Sequence, residues 1–177
     1  MKRLHSLKPH PQSKGEWCGP ASLKTILDHL GRSREEQELV RLCGTSDHGT
    51  EHAGLIVTAQ TLGAHIFEKT DGALEEIAWF LVTPKLPVLV AWWSDYHPPA
   101  GPHYSVICRM SRNYVFLADP EEKRVRRMRH HSFLTRWHDC DTSIARTYER
   151  WYMVIAFRGK IKSPFVGTHH LPLQTSV

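Results

Sequence analysis

The stretch Trp17-Cys18-Gly19-Pro20-Ala21-Ser22-Leu23 places a cysteine at the point where a helix begins. Pro20 suits the first helical turn, where the N–H that proline lacks would have no partner. Apolar residues then recur at helical spacing as far as Gly31, a typical helix stop. Because a helix N-terminus carries partial positive charge, it favours a thiolate over a thiol. Cys18 is therefore a candidate nucleophile, although a buried structural cysteine is the commoner interpretation of a lone thiol at such a position.

A histidine and an aspartate in the second half of the chain are the partners that such a nucleophile needs. His103 begins a predicted strand, and Asp119 follows the end of the next one. If these strands pair as a hairpin around Arg112 and Asn113, both side chains lie at the same end of the sheet. The imidazole would then take the proton of the thiol, and the carboxylate would hold the required tautomer.

Gln12 lies shortly before the cysteine, in an irregular polar segment that can fold back over the start of the helix. Its side-chain amide is a hydrogen-bond donor. Together with the backbone N–H of Cys18 it would form the two-donor hole that stabilises an oxyanion during acyl transfer.

Length and composition indicate one core. The chain has 177 residues, of which 41% are hydrophobic and 23% charged, and we expect a single domain over 1–157 with a loosely ordered extension over 158–177. The four cysteines stand far apart, without the spacing of a zinc site or a disulfide framework. Neither a secretory signal nor an apolar stretch of ~18–20 residues is present, so a cytoplasmic protein without membrane insertion is expected.

The predicted elements give a helical first half and a strand-rich second half. Ser33 and Glu36 suggest a capping box for a second helix. Further helices are predicted over 51–62, over 73–81 with Asp71 as cap, and over 133–137 with Ser132 as cap. Strands are predicted over 64–69, 87–93, 104–110, 114–118, 124–128 and 151–157. This order indicates an α+β fold, in which a helical N-terminal half packs on a mostly antiparallel C-terminal sheet.

Four segments taken together resemble the papain-like bacteriocin-processing cysteine peptidases, which remove double-glycine leaders. They are Gln12, Cys18-Gly19-Pro20-Ala21, His103-Tyr104-Ser105-Val106-Ile107 and Asp119-Pro120. Order, spacing and flanking residue types agree from residue 12 to about residue 157. The resemblance implies a papain-like fold in which Cys18 is the nucleophile, His103 the base, Asp119 the orienting acid and Gln12 the oxyanion donor. It also implies a peptide or protein substrate, hydrolysis through a Cys18 thioester, and no cofactor.

The sequence departs from this family in one respect. The processing peptidases are commonly the cytoplasmic domain of an ABC transporter, whereas neither membrane segments nor a nucleotide-binding motif is found here, so we expect a stand-alone member. The loops over 45–52 and 92–102 are expected to shape the substrate groove. Two alternatives stay open: an acyl transferase or transpeptidase of the same fold, and a peptidase-like module that binds a peptide without cutting it.

Three other groups of residues support weaker hypotheses. Trp92, Trp93 and Tyr96 are candidates for an aromatic wall that contacts an extended peptide, although core packing and a surface turn are the commoner outcome. The basic run over 123–131 could bind nucleic acid or an acidic peptide, but a strand with an outward charged face, broken by Val125, is favoured. No metal is predicted, because each histidine pair lacks a third ligand; the pairs are His48 with His52, His130 with His131, and His138 near Cys140.

Overall fold

The structure, a computed structural model, describes residues 4–96, 100–141 and 146–173. Its helices are α1 (Cys18–His29), α2 (Glu36–Leu42), α3 (His52–Thr61), α4 (Leu74–Val82) and α5 (His130–Leu134). Its strands are β1 (His65–Lys69), β2 (Val88–Ser94), β3 (Gly101–Met110), β4 (Tyr114–Asp119), β5 (Arg124–Arg129), β6 (His138–Asp141), β7 (Arg146–Glu149), β8 (Tyr152–Ala156) and β9 (Thr168–His170). Among the described residues, no helix is long and apolar enough to span a bilayer.

A seven-stranded sheet in the order β5-β4-β3-β2-β8-β1-β9 forms the centre of the molecule. Every neighbouring pair in it is antiparallel, and β6 and β7 form a separate two-stranded ribbon. The predicted α+β class and all six predicted strands are confirmed. The sequence analysis missed β6, β7 and β9, which are short and polar and so lack the apolar alternation of a buried strand.

Apolar side chains cover both faces of the sheet. Leu89 and Ala91 of β2 pack with α1, α2 and α3, whereas Val88 and Val90 pack on the opposite face with α4 and α5. Alternate residues of a strand point to opposite faces, so a strand that is apolar throughout needs cover on both sides. The prediction of one helical half on one sheet is therefore incomplete, because α4 and α5 lie on the far face.

Three predicted helix caps are wrong. The Ser33 hydroxyl accepts a hydrogen bond from Lys24, and the Glu36 carboxylate accepts one from the backbone N–H of Ser13, so neither side chain caps α2. Asp71 lies in the left-handed region, and Glu76 instead accepts the N–H of Ala73 at the start of α4. The short helix α5 begins before Ser132 and ends before Trp137. For α2, tertiary contacts override the local signal.

The segment after residue 157 is docked rather than loose as far as residue 173. Ile161 is buried, and β9 adds an edge strand to the sheet beside β1. The backbone N–H of Leu173 donates to the carbonyl of Gln60. The expected loose extension is therefore wrong for residues 158–173, while 174–177 lie outside the described residues.

Candidate active site

Cys18 is the first residue of α1, as the sequence predicts, and its side chain is largely buried. Two contacts fix this end of the helix. Ser22 Oγ donates to the carbonyl oxygen of Tyr104 on β3, at 3.1 Å. A Cβ added to Gly19 would lie 2.9 Å from Cβ of Thr50, so only glycine allows this close approach. The nucleophile candidate is thus held against the strand that carries His103.

The predicted contact between His103 and Asp119 is present. Nε2 of His103 lies 3.2 Å from Oδ1 of Asp119, and the two side chains are 3% and 0% exposed. The side chain of Cys18 also acts on the His103 ring and helps to raise its pKa. Because Nε2 is occupied by Asp119, Nδ1 is the nitrogen that remains for the thiol. The arrangement is a buried chain from sulfur to imidazole to carboxylate.

A one-residue bulge in the β3–β4 hairpin brings these two side chains to one face. Near the turn Arg109 pairs with Phe116, but beyond Cys108 the register shifts, and Ile107 pairs with Leu117. Continued outward, the shifted register sets Asp119 opposite Ser105, which shares a face with His103. Without the extra residue Asp119 would oppose Val106 and point to the other face. A simple hairpin predicts that His103 and Asp119 lie near each other. It does not predict that a bulge is needed to bring their side chains to the same face.

The Asp119 carboxylate accepts hydrogen bonds on both oxygens. Oδ1 accepts from His103 and from the backbone N–H groups of Glu121 and Glu122. Oδ2 accepts from Tyr96 Oη at 2.6 Å and from Ser105 Oγ at 3.0 Å. Burial alone raises the pKa of Asp119, but the contacts with His103, Tyr96 and Ser105 outweigh it and lower the pKa below its usual value. The carboxylate is ionised at neutral pH.

The same contacts act on His103 in the opposite sense. Burial lowers the pKa of the imidazole, but the hydrogen bonds and negative charge of Asp119 and Cys18 prevail and raise the pKa to about 10. The Glu121 carboxylate, 4.0 Å from Nδ1, adds a further negative charge at the ring. A protonated imidazole at neutral pH stabilises a neighbouring thiolate, which is the reactive form of a cysteine.

The two tryptophans at the end of β2 and the tyrosine that follows the strand take different positions from those expected of a substrate wall. Trp92 is fully buried and donates from Nε1 to Ser105, so its assignment to a substrate wall is wrong. Trp93 is half-buried and stacks on His138. Tyr96 is half-buried and donates to Asp119, a role that the sequence analysis missed. Residues 97–99, which follow Tyr96, lie outside the described residues.

Gln12 bridges the two parts of the site through its backbone and side chain. Its N–H donates to the carbonyl of Pro120, directly after Asp119. Its Nε2 donates to the carbonyl of Gly15, in the turn before α1, and its Oε1 is buried with no hydrogen-bond partner among the described residues. The segment thus folds back over the helix start, as predicted.

A cavity of about 790 Å³ opens beside Cys18. Its wall includes the expected loop over 47–52, the start of β3, and the ribbon of β6 and β7, which the sequence analysis did not foresee. In this wall, Nε2 of His52 lies 3.1 Å from Oδ2 of Asp139, and the His52 ring stacks on Trp151. His52 therefore has a structural role in the wall. The described part of the chain contains no group of three histidine, cysteine or acidic residues placed to hold a metal.

Cys43, Cys108 and Cys140 lie in surroundings that differ from those of Cys18. Cys43 and Cys108 are buried, and burial raises the pKa of each to about 11. Cys140 is half-buried and lines the cavity wall. Arg109 lowers the pKa of Cys108 but burial outweighs it, so both buried thiols stay protonated at neutral pH.

The basic run forms β5 at the edge of the sheet and continues into α5. Its buried side chain is Met128, whereas Val125 is 39% exposed. Arg126 lies over the rings of Trp92 and Tyr96 and pairs with Asp95. One of these arginines therefore supports the site rather than facing a partner.

Comparison with known proteins gives the family. The profile of the peptidase C39 family matches residues 6–149. The chain belongs to the peptidase C39 family. It is 35% identical over 114 residues to an uncharacterized protein of Methanothermobacter thermautotrophicus, covering 64% of this chain and 72% of that one. It is 30% identical to the lactococcin-A transport/processing ATP-binding protein LcnC of Lactococcus lactis subsp. lactis, but the match covers 68% of this chain and only 16% of the transporter.

Solved structures of C39 peptidases share the fold. The peptidase domain of Streptococcus ComA, a bifunctional ABC transporter of a quorum-sensing pathway, superposes with a TM-score of 0.68 at 23% identity, over 85% of this chain and 98% of that domain. A double glycine motif protease from an AMS/PCAT transporter, solved with its leader peptide, gives a TM-score of 0.59 at 16% identity, over 84% and 90% of the two chains. The papain-like peptidase fold expected from the sequence is confirmed.

Proposed function

We propose that this C39 protein is an active cysteine peptidase, with Cys18 as nucleophile, His103 as general base and acid, Asp119 as orienting acid and Gln12 as oxyanion donor. The observation that supports it is the buried hydrogen bond between His103 and Asp119, on the strands against which Cys18 is held at the start of α1. A buried imidazole that is charged at neutral pH is costly unless an anionic partner such as Asp119 is hydrogen-bonded to it. A structural cysteine at a helix start does not need such an environment.

The proposed reaction has two steps. Sγ of Cys18 attacks the carbonyl carbon of the scissile bond, and the oxyanion is held by the Cys18 N–H and the Gln12 amide. The carbon–nitrogen bond breaks, and the leaving amine takes a proton from His103. Water then gives a proton to His103 and attacks the thioester, which releases the acid and returns the thiolate beside a protonated imidazole. Asp119 keeps the ring oriented throughout.

The proposed substrate is a peptide with small residues before the scissile bond. The related structures include a double glycine motif protease bound to its leader peptide, and this chain has the same fold. A peptide with two glycines before the bond is therefore the first probe to use. Benzyloxycarbonyl-Gly-Gly-aminomethylcoumarin releases a fluorescent amine on cleavage.

The test combines thiol labelling with hydrolysis of this probe. Wild type should react with iodoacetamide at Cys18 near pH 6, as seen by peptide mass mapping, and His103→Ala should slow that reaction at least tenfold. Probe hydrolysis should vanish in Cys18→Ala. Labelling at the rate of an ordinary thiol, indifferent to the loss of His103, would overturn the proposal and favour a peptide-binding module.

A further inference from the structure

A second and larger cavity, of about 990 Å³, lies at the opposite end of α1 from Cys18. It is bounded by the end of α1, by α4 with the loop that follows it, and by the segment after β8. Since α1 has 12 residues, at about 1.5 Å of rise per residue, the cavity is separated from the nucleophile by roughly the length of the helix. None of the residues of the Cys18–His103–Asp119 chain lines it.

The floor of this cavity is apolar and aromatic. Leu86 and Ile161 are buried beneath it, while Leu30, Trp79 and Phe157 are half-buried at its surface. Such side chains leave a concave hydrophobic surface open to solvent, which is the common character of small-molecule sites. The volume is at the upper end of the range of about 300–1,000 Å³ for such sites. It is much larger than a lone phosphate ion needs.

The rim carries positive charge only. Arg32, Arg158, Lys160 and Lys162 line the cavity, all four are exposed, and no lining residue is acidic. Within 4–96, 100–141 and 146–173, no carboxylate forms an ion pair with any of them. Arg32 lies over the Phe157 ring, 5.3 Å from its centroid, which keeps its charge at the edge of the aromatic floor. The rim is therefore electropositive and has no acidic partner among the residues that the structure describes.

We propose that this cavity binds a small amphipathic anion, whose apolar body rests on the floor and whose carboxylate or phosphate meets the rim. Apolar surface and unpaired cations in one concavity match the two ends of such a molecule. An inorganic anion would leave the floor wet, and an uncharged apolar molecule would leave the cations without a partner. A volume within the range of small-molecule sites favours a small molecule over a polypeptide.

Octyl phosphate and octanoate, used well below their micelle-forming concentrations, are the probes, and isothermal titration calorimetry is the measurement. At least one of them should bind with one-to-one stoichiometry, and the stronger one identifies the preferred head group. Octyl glucoside and inorganic phosphate should each bind at least tenfold more weakly. Binding of octyl phosphate or octanoate should shift the amide resonances of Gly31 and Gly159 and the indole N–H resonance of Trp79 in ¹H–¹⁵N spectra.

A pair of double variants tests the position of the charge. Lys160→Glu/Lys162→Glu should weaken binding at least tenfold, whereas Arg127→Glu/Arg129→Glu, the same charge change on β5, should leave it within twofold of wild type. Circular dichroism verifies that both variants are folded. Equal loss in both variants would overturn the site, because it would reflect net charge alone. Binding of inorganic phosphate as tight as that of octyl phosphate, or tighter binding of hexaglutamate, would also overturn it.

Discussion

Tyr96 donates a 2.6 Å hydrogen bond to Oδ2 of Asp119, while His103 occupies the other oxygen of the same carboxylate at 3.2 Å. The Tyr96 ring also meets the His103 ring edge to face. Burial and the negative charge of Asp119 together raise the pKa of Tyr96 far above its usual range, so the phenol stays a donor. Tyr96 therefore acts on the carboxylate that orients the base.

Tyr96 has two candidate roles, positioning of Asp119 and contact with the substrate, and one substitution distinguishes them. If it positions Asp119, Tyr96→Phe should lower kcat on the Gly-Gly probe about tenfold and leave KM almost unchanged, since a hydrogen bond to a charged group contributes about 1.5–3 kcal/mol. Steady-state kinetics measure both constants. A raised KM with unchanged kcat would instead support the aromatic wall expected from the sequence.

Asp119→Asn should lower the pKa of His103, because it removes the negative charge that faces Nε2. The ¹⁵N shifts of the ring, followed against pH, report the protonation state. Asp28→Asn is the matched control, since Asp28 is half-buried and pairs with Lys24 on α1 rather than with His103. An unchanged His103 titration in Asp119→Asn would contradict the coupling.

The stability of the fold should depend on pH through the same pair. A raised His103 pKa stabilises the folded state fully below the unfolded value of about 6.5, and the stabilisation is lost as the pH rises towards about 10. The lowered Asp119 pKa acts in the other sense: its contribution is present above about 3.9 and is lost on acidification. Urea unfolding should show that His103→Gln lowers the free energy of unfolding most between about pH 3.9 and pH 6.5, and progressively less at alkaline pH. A cost that does not vary with pH would exclude this linkage.

Gln12→Ala should separate acyl chemistry from thiol reactivity. Alkylation by iodoacetamide forms no oxyanion, so its rate at Cys18 should stay within about twofold of wild type. Hydrolysis of the Gly-Gly probe should fall by about 10²–10³ in kcat, the usual cost of a lost oxyanion donor. Equal loss in both assays would mean that Gln12 only supports the fold near Gly15 and Pro120.

Gly19→Ala should destabilise the start of α1. The added methyl would lie 2.9 Å from Cβ of Thr50, and overpacking of this kind costs about 1–3 kcal/mol in the free energy of unfolding. Gly15→Ala is the control, because a Cβ there meets nothing within 4 Å. Urea denaturation compares the two. Similar stability of both variants would show that Thr50 moves aside without cost.

The sequence predicts those features that are local or that follow from one pairing. The helix after Cys18, the six strands, and the nearness of His103 to Asp119 all come from periodicity and a single hairpin. The four segments shared with the peptidases further define the fold. These signals depend on few assumptions, so the structure reproduces them.

Contacts between residues far apart in the chain could not be predicted from periodicity or from a single hairpin. The β3–β4 bulge has no marker in the sequence, since Cys108 is an ordinary apolar residue of a strand. Glu36 looks like a capping residue until Ser13, far away in the chain, takes its carboxylate. The hydrogen bond from Tyr96 depends on the path of a loop between β2 and β3. Tertiary hydrogen bonds compete with local ones for the same side chains, and local patterns do not reveal which prevails.

Cys18 belongs to a helix near the beginning of the chain, whereas His103 and Asp119 belong to a hairpin in its second half. During synthesis the thiol therefore leaves the ribosome long before its base exists. A nascent or partly degraded chain that lacks the hairpin has an unactivated cysteine, so the proposed peptidase would be harmless until its tertiary structure is complete. Folding itself would serve as the safeguard against premature cleavage.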